Sequence, residues 1–413
     1  MKQNGLKFSK DGKTVIGVND SDITHITLPD SVTSIGLAAF EECSSLASID
    51  IPDSVTSIGK EAFYDCRSLK SIDIPDSVTD IGGGVFRFCS SLKIIRIPRS
   101  VTSIGDWAFE GCSSLKNISV DTDNPAYASD NGVLFNKNFS TIVKIPQGKQ
   151  IEHYIIPDSV IRIRKNAFQS CSSLKRIHIP NGVTSIGDMA FRDCCSLECI
   201  DIPGSVTSIG NSAFWGCSSL KSIHIPSSIT NIKFLTFNGC SSLESIHIPD
   251  SVTSIGYEVF CGCSSLERID IPDSVSTIGN HAFLGCSSLE SIDFPDSVTS
   301  IGARAFAGCN SLESIHIPDS VTVLEEGAFR GCSSLKSIHI PDSVTSIEYG
   351  AFYGCSSLKE VHLQHKNPND ISVDDDTFDE TSYDNCILFI PSGSRWKYRH
   401  HPVFGKFEHI EIE

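Results

Sequence analysis

Apolar and polar positions along this chain follow an order that returns every 23 residues. One cycle reads L-x-x-I-x-I-P-x-S-V-T-x-I-G-x-x-A-F-x-G-C-S-S. In Leu220-Lys-Ser-Ile-His-Ile-Pro226 apolar residues alternate with polar ones, as a half-buried strand requires. Proline then ends the strand, because it has no N–H to give to a ladder. Val-Thr-x-Ile predicts a second, shorter extended stretch. The Ala-Phe-x-Gly-Cys part predicts one helical or 3-10 turn and no more. Arg164, Lys233, Glu325 and Glu348 replace the Gly after the short stretch, so that position is expected to need no positive φ.

The period overrides the two or three domains that 413 residues would suggest. Prolines recur at that step from Pro29 to Pro98 and from Pro157 to Pro341, and thirteen Phe–Cys units run from Phe40/Cys43 to Phe352/Cys355. Each unit turns about eight side chains inward, more than a lone coil covers. Burial is complete only when coils stack, which predicts a one-dimensional solenoid with neighbour coupling. Residues 1–21 read as an N-terminal hairpin cap with Asp11-Gly12 at its turn. Repeats are expected over 22–120 and 157–363. Between them, Pro98 and Pro157 lie 59 residues apart, and 121–156 reads as an elongated coil with a hairpin insert, Gly132–Phe135 against Thr141–Ile145. That insert either lengthens a coil or projects as a contact loop. Residues 364–413, rich in aromatics, read as a C-terminal cap.

This pattern resembles the BspA-like leucine-rich repeats over nearly the whole chain, on the motif I-P-x-S-V-T-x-I-G-x-x-A-F-x-x-C. The resemblance implies an α/β repeat solenoid. It would be a right-handed leucine-rich-repeat superhelix with a concave parallel β-sheet and short helical or 3-10 turns on the convex side. It also implies surface or secreted proteins, some of them adhesive toward host matrix proteins.

Charge narrows the partners. With 33 basic and 50 acidic residues the net charge is −17, a field that repels phosphate backbones and anionic membranes. No apolar run approaches the ~18–20 residues of a membrane span. The first thirty residues lack the apolar core of a signal peptide, so either an intracellular protein or a removed leader is expected. Seventeen cysteines are too few for a disulfide scaffold of this length. Those in the Phe–Cys column read as buried apolar fillers. Cys195, Cys199, Cys261 and Cys386 fall outside it and are the thiols expected to react.

The candidate binding residues sit between the two Ile of each strand, where alternation points them to solvent. The column begins with Asp50, Asp73, Arg96 and Ser119. It continues with His178, Asp201, His224, His247, Asp270, Asp293, His316, His339 and His362, and these nine form the proposed ligand-binding stripe. Like charges on neighbouring strands raise carboxylate pKa values and His beside Asp gains protons more easily, so the column could change charge between about pH 5 and 7. A ladder holds imidazoles in parallel, whereas zinc needs them to converge, so no metal site is expected at His316, His339 and His362. Beside it, Lys70, Lys93, Lys116 and Lys175 give way mostly to Glu from Glu198 to Glu313, then to Lys336 and Lys359. No Walker A loop, dinucleotide fingerprint or HExxH is present, so no catalytic residue and no cofactor are expected. The sequence therefore predicts a monomeric, non-enzymatic binder of a protein ligand, and the resemblance implies a host matrix protein as that ligand and a place at the cell surface or outside the cell. The alternatives are a cytoplasmic interaction scaffold and a pH- or metal-responsive binding module.

Overall fold

A computed structural model describes residues 5–413 of the chain. It divides into two units, described separately: residues 5–174 with 180–194, and residues 175–179 with 195–413.

The first unit opens on an antiparallel hairpin, Leu6–Phe8 against Thr14–Val18, with Gly12 at φ +71° in the turn. Thr14–Val18 then starts a parallel sheet made of two-residue strands, Ser34–Ile35, Ser57–Ile58, Asp80–Ile81 and Ser103–Ile104. These are the Val-Thr-x-Ile segments. The longer segments form His25–Thr27 beside Ser48–Asp50, and Ile94–Ile97 beside Asn117–Val120, also parallel. In the second unit the longer strands make two parallel sheets. One runs from Arg176–His178 to Ser291–Asp293, the other from Ser314–His316 through Ile387–Ile390 to His409–Ile412.

The expected helical turn at Ala-Phe-x-Gly-Cys is not formed. Two residues in most coils, such as Ala38 at φ 52° and Glu42 at φ 58°, adopt the left-handed conformation, which breaks a right-handed helix. The backbone donors also alternate. Glu41 and Cys43 N–H bond three residues back, to Ala38 and Phe40 O at 3.1 and 3.2 Å. Ala38, Phe40 and Glu42 N–H instead reach the next coil, at Lys60, Ala62 and Tyr64 O, 2.8–3.0 Å away. With half its donors committed between coils, the segment is a run of turns. Among the described residues, helical segments occur only from Pro368 to Lys406. The Gly before this segment needs no positive φ, as expected, but it does need space: a Cβ on Gly59 would lie 2.7 Å from the Gly36 carbonyl carbon.

The core is a set of ladders. Phe40, Phe63, Phe86 and Phe109 stack at centroid distances of 5.2–6.1 Å. In the second unit Phe237, Phe260, Phe283 and Phe306 stack at 5.0–5.6 Å. Most column thiols donate to the Phe carbonyl of the coil before them, as Cys66 to Phe40 O at 3.1 Å and Cys286 to Phe260 O at 3.1 Å. The Ser of P-x-S-V does the same, as Ser54 to Val32 O and Ser274 to Val252 O, both 2.6 Å. No column cysteine is in a disulfide.

The segment 121–156 is woven into the first unit. Buried Asn124 fixes its entry, donating to Pro98 and Val101 O at 2.7 and 2.9 Å and accepting from Ala126 and Tyr127 N–H. Tyr127–Asp130, a strand the sequence did not reveal, pairs with Val133–Asn136, which pairs with Thr141–Lys144. Thr141–Lys144 then joins Arg162–Ile163 in parallel. Val133, Leu134 and Phe135 are buried, so this part does not stand off as a loop.

At the far end, Asp379 caps the short helix Glu380–Asn385, and Tyr398, fully buried on helix Arg395–Arg399, donates its hydroxyl to His365 O at 2.8 Å.

Candidate interaction surface

The longer strands of the second unit hold the Asp/His column in register. His178 lies opposite Asp201, Asp201 opposite His224, and His224 opposite His247. His247 faces Asp270, and Asp270 faces Asp293. The ladder stops there and resumes with His316 opposite His339 and His339 opposite His362. From His178 to His339 every member is exposed while the Ile beside it is buried, the alternation that the sequence implies. The surface is thus two ordered runs of imidazole and carboxylate groups.

His362 departs from the expectation. It is 9% exposed, its ring lying between His339, 4.1 Å away, and Phe389, 4.5 Å away. Its Nδ1 lies 3.1 Å from Glu413 Oε1 and its Nε2 3.6 Å from Glu360 Oε2. The strands Ile387–Ile390 and His409–Ile412 extend the sheet past it and place Phe389, then Glu411, in the same column. The sequence carried that signal, because Leu388-Phe-Ile-Pro391 repeats the apolar-x-apolar-Pro ending of most longer strands. Burial also lowers the pKa of His339, with the neighbouring His362 imidazole adding to the effect. The stacked His339 and His362 rings lie 8° from parallel and so do not converge on a common point. Among the described residues no group of three or more His, Cys, Asp or Glu is placed to hold a metal.

In the first unit the column is broken into local pairs. Asp50 accepts from Thr27 Oγ1 at 2.9 Å and lies 3.4 Å from His25 Nε2. Asp73 is in no strand, Arg96 pairs with Asp121 at 2.5 Å, and Ser119 is half-buried with its hydroxyl directed to Ile95 O. One exposed position the column reading missed is Ile155, 74% exposed on strand His153–Ile155, 23 residues before His178.

The off-column thiols differ among themselves. Cys195 and Cys199 are exposed and Cys261 is half-buried, but Cys386 is fully buried and donates to Leu358 O at 2.8 Å. Burial pushes its pKa up to about 12, which removes it from the reactive set.

A family model described as the BspA type leucine rich repeat region matches residues 18–129, 147–267 and 253–384. A search of the curated proteins gives no match. Among solved structures, a leucine-rich repeat protein of Eubacterium ventriosum is 30% identical, with TM-score 0.64 over 72% of this chain and 88% of that one. A leucine-rich repeat protein of Bacteroides ovatus is 32% identical, with TM-score 0.54 over 91% and 90%. A leucine rich cell surface protein of Faecalibacterium prausnitzii is 28% identical, with TM-score 0.51 over 87% and 92%. No helix among the described residues is long and apolar enough to cross a membrane. With the stacked coils, the 23-residue motif and these matches in agreement, the chain belongs to the BspA-type leucine-rich repeat family.

Proposed function

We propose that this chain is a non-enzymatic, monomeric binding protein of the cell surface or the extracellular space, and that it adheres to a protein ligand such as a host matrix protein. The observation that carries the reading is the exposed column on the longer strands. His178, Asp201, His224, His247, Asp270, Asp293, His316 and His339 repeat one side-chain position on rigid parallel strands, an arrangement suited to a long, polar protein epitope. His362 closes the stripe as its support, through its stack on His339. The surface assignment draws on the likeness to the Faecalibacterium prausnitzii protein, described as a cell-surface one. In this reading the coils wind as a right-handed superhelix with the longer strands on its concave face. Residues 5–21, the described part of the expected 1–21 cap, and 364–413 cap the repeats of 22–120 and 157–363, and 121–156 is an elongated coil between them.

The test is surface plasmon resonance of the chain over immobilised extracellular matrix proteins, beside a variant with His178, His224, His247, His316 and His339 changed to Ser. Saturable binding weakened at least tenfold in the variant is expected. Binding that the variant keeps unchanged moves the site off the column. No binding by the native chain to any matrix protein overturns the adhesive role.

A further inference from the structure

Side-chain bonds between repeat coils normally join residues 22–26 apart in sequence, but inside the first unit three bonds join residues 58–60 apart. Arg164 Nη2 donates to Ile104 O at 3.3 Å and pairs with Asp106 at 3.2 Å. Gln169 Nε2 donates to Glu110 Oε1 at 2.9 Å. These contacts bypass the coil of 121–156, which carries no counterpart of the repeat Phe–Cys unit. The flanking coils are joined across the gap it leaves, and Lys144 is among the residues that line it.

The gap is a cleft of about 30 Å³ lined by Trp107, Lys144, Arg164 and Asn166 among others. Lys144 and Asn166 are each only 6% exposed. The Lys144 ammonium donates one bond, to Asn166 O at 2.8 Å. The carboxamide of Asn166 has no partner at either Oδ1 or Nδ2. The carboxylates nearby are already matched: Asp106 by Arg164 and Lys165, Glu110 by Arg87 Nε at 2.6 Å. Lys144 therefore stands in the cleft without a carboxylate in ion-pair contact. A buried cation without a counter-ion is unfavourable, and so is a buried amide without a hydrogen bond. Burial accordingly lowers the Lys144 pKa.

We propose that this cleft is a binding site for one small carboxylate, held by the Lys144 ammonium and the Asn166 carboxamide N–H. The volume admits about one or two water-sized groups, which fits formate or a carboxylate tip and excludes a tetrahedral oxyanion with its hydration. The carboxylate supplies the missing counter-charge, accepts the free ammonium N–H groups and accepts from Asn166 Nδ2. It comes either as a free ion or on an acidic side chain of a protein partner. The site is separate from the Asp/His column and does not depend on it.

The probe is sodium formate, titrated into the full chain at constant ionic strength with sodium sulfate as the reference salt, reading Tm. Binding to the folded state alone gives a saturable rise, about 2 °C near tenfold saturation, distinct from the non-saturable rise that sulfate gives by exclusion from the surface. Lys144→Met abolishes the rise and leaves Tm in sulfate at or above that of the native chain, since it removes an uncompensated charge. Asn166→Asp supplies the counter-charge from within, raising Tm in sulfate and likewise removing the formate response. Acetyl-aspartate amide separates the two sources: a matching rise assigns the site to a partner's acidic side chain, and a response to formate alone assigns it to a free ion. Equal behaviour in formate and sulfate, or a formate response that survives Lys144→Met, overturns the proposal.

Discussion

Replacing Phe260 by Ala tests whether the ladders, rather than the strands, hold the coils together. Phe260 is fully buried, with Phe237 and Phe283 stacked on its two faces at 5.6 and 5.3 Å. Truncating a core Phe costs about 3–5 kcal/mol through lost transfer energy and the cavity left behind. Two aromatic contacts of about 0.5–1.5 kcal/mol each go with it, which places the loss near the top of that range, about 5 kcal/mol. The gap has little means of collapse, because Phe260 N–H and the Ala282 carbonyl are bonded at 2.8 Å and fix the coil spacing. A repeat array transmits such a loss mainly to nearest neighbours, so amides beside the substitution report it more directly than a global midpoint does. Native-state hydrogen exchange is the assay. Amides of Phe237, Phe260 and Phe283, each bonded to the following coil, are expected to lose about 10³-fold protection. Those of Phe40 and Phe63 in the first unit should change less than threefold. A loss below tenfold at the three amides refutes the ladder argument. An equal loss at Phe40 refutes nearest-neighbour coupling.

Tyr398→Phe removes the hydroxyl that bonds His365 O at 2.8 Å in a fully buried site, and should cost about 1–2 kcal/mol in thermal or urea unfolding with the fold retained. His339 and His401 both have pKa values lowered from 6.5 by burial, so the folded state binds protons less readily than the unfolded one. Their contribution is present above about pH 6.5 and lost as pH falls below it; His339→Asn should flatten the acid side of the Tm–pH curve, and an unchanged slope contradicts this. Iodoacetamide at pH 8 should label Cys195 and Cys199 in the native chain, followed by mass mapping. The column thiols, such as Cys171 with its pKa pushed up to about 11 by burial, should react only on unfolding; early labelling of Cys171 would show that the ladder opens.

The repeat made the stack legible because every ladder is one sequence position copied at a fixed step. The same copying hid what depends on single residues. Nothing in the local pattern of Val-His362-Leu marks it as different from Ile-His339-Ile; only Phe389 and Glu413, far along the chain, bury it. The turn segment read as one helical or 3-10 turn from its length, while its left-handed residues are often non-glycine: Glu61, Trp107, Leu235 and Arg304. Inter-coil bonds impose that conformation, and no local propensity foretells it. Tyr127–Asp130 was missed for a related reason: its partner strand supplies the order that its own Ala, Ser and Asp do not. Helix Glu380–Asn385, within the expected C-terminal cap of 364–413, rests on Asp379, which accepts from Ser382 N–H at 2.9 Å.

The thiol and serine bonds all run one way, from each coil to the carbonyl of the coil before it. Within a regular run, such as Phe237 to Cys355, successive joints therefore repeat the same thiol donor, the same Phe carbonyl acceptor and the same spacing. Removing or adding one whole coil within a regular run rejoins identical halves, whereas removing part of a coil leaves a donor and an acceptor facing unlike partners. Copy number is thus a nearly free variable for this chain, adjustable in whole units. The length of the exposed stripe, and with it the reach toward a long ligand, can be retuned without redesigning any contact.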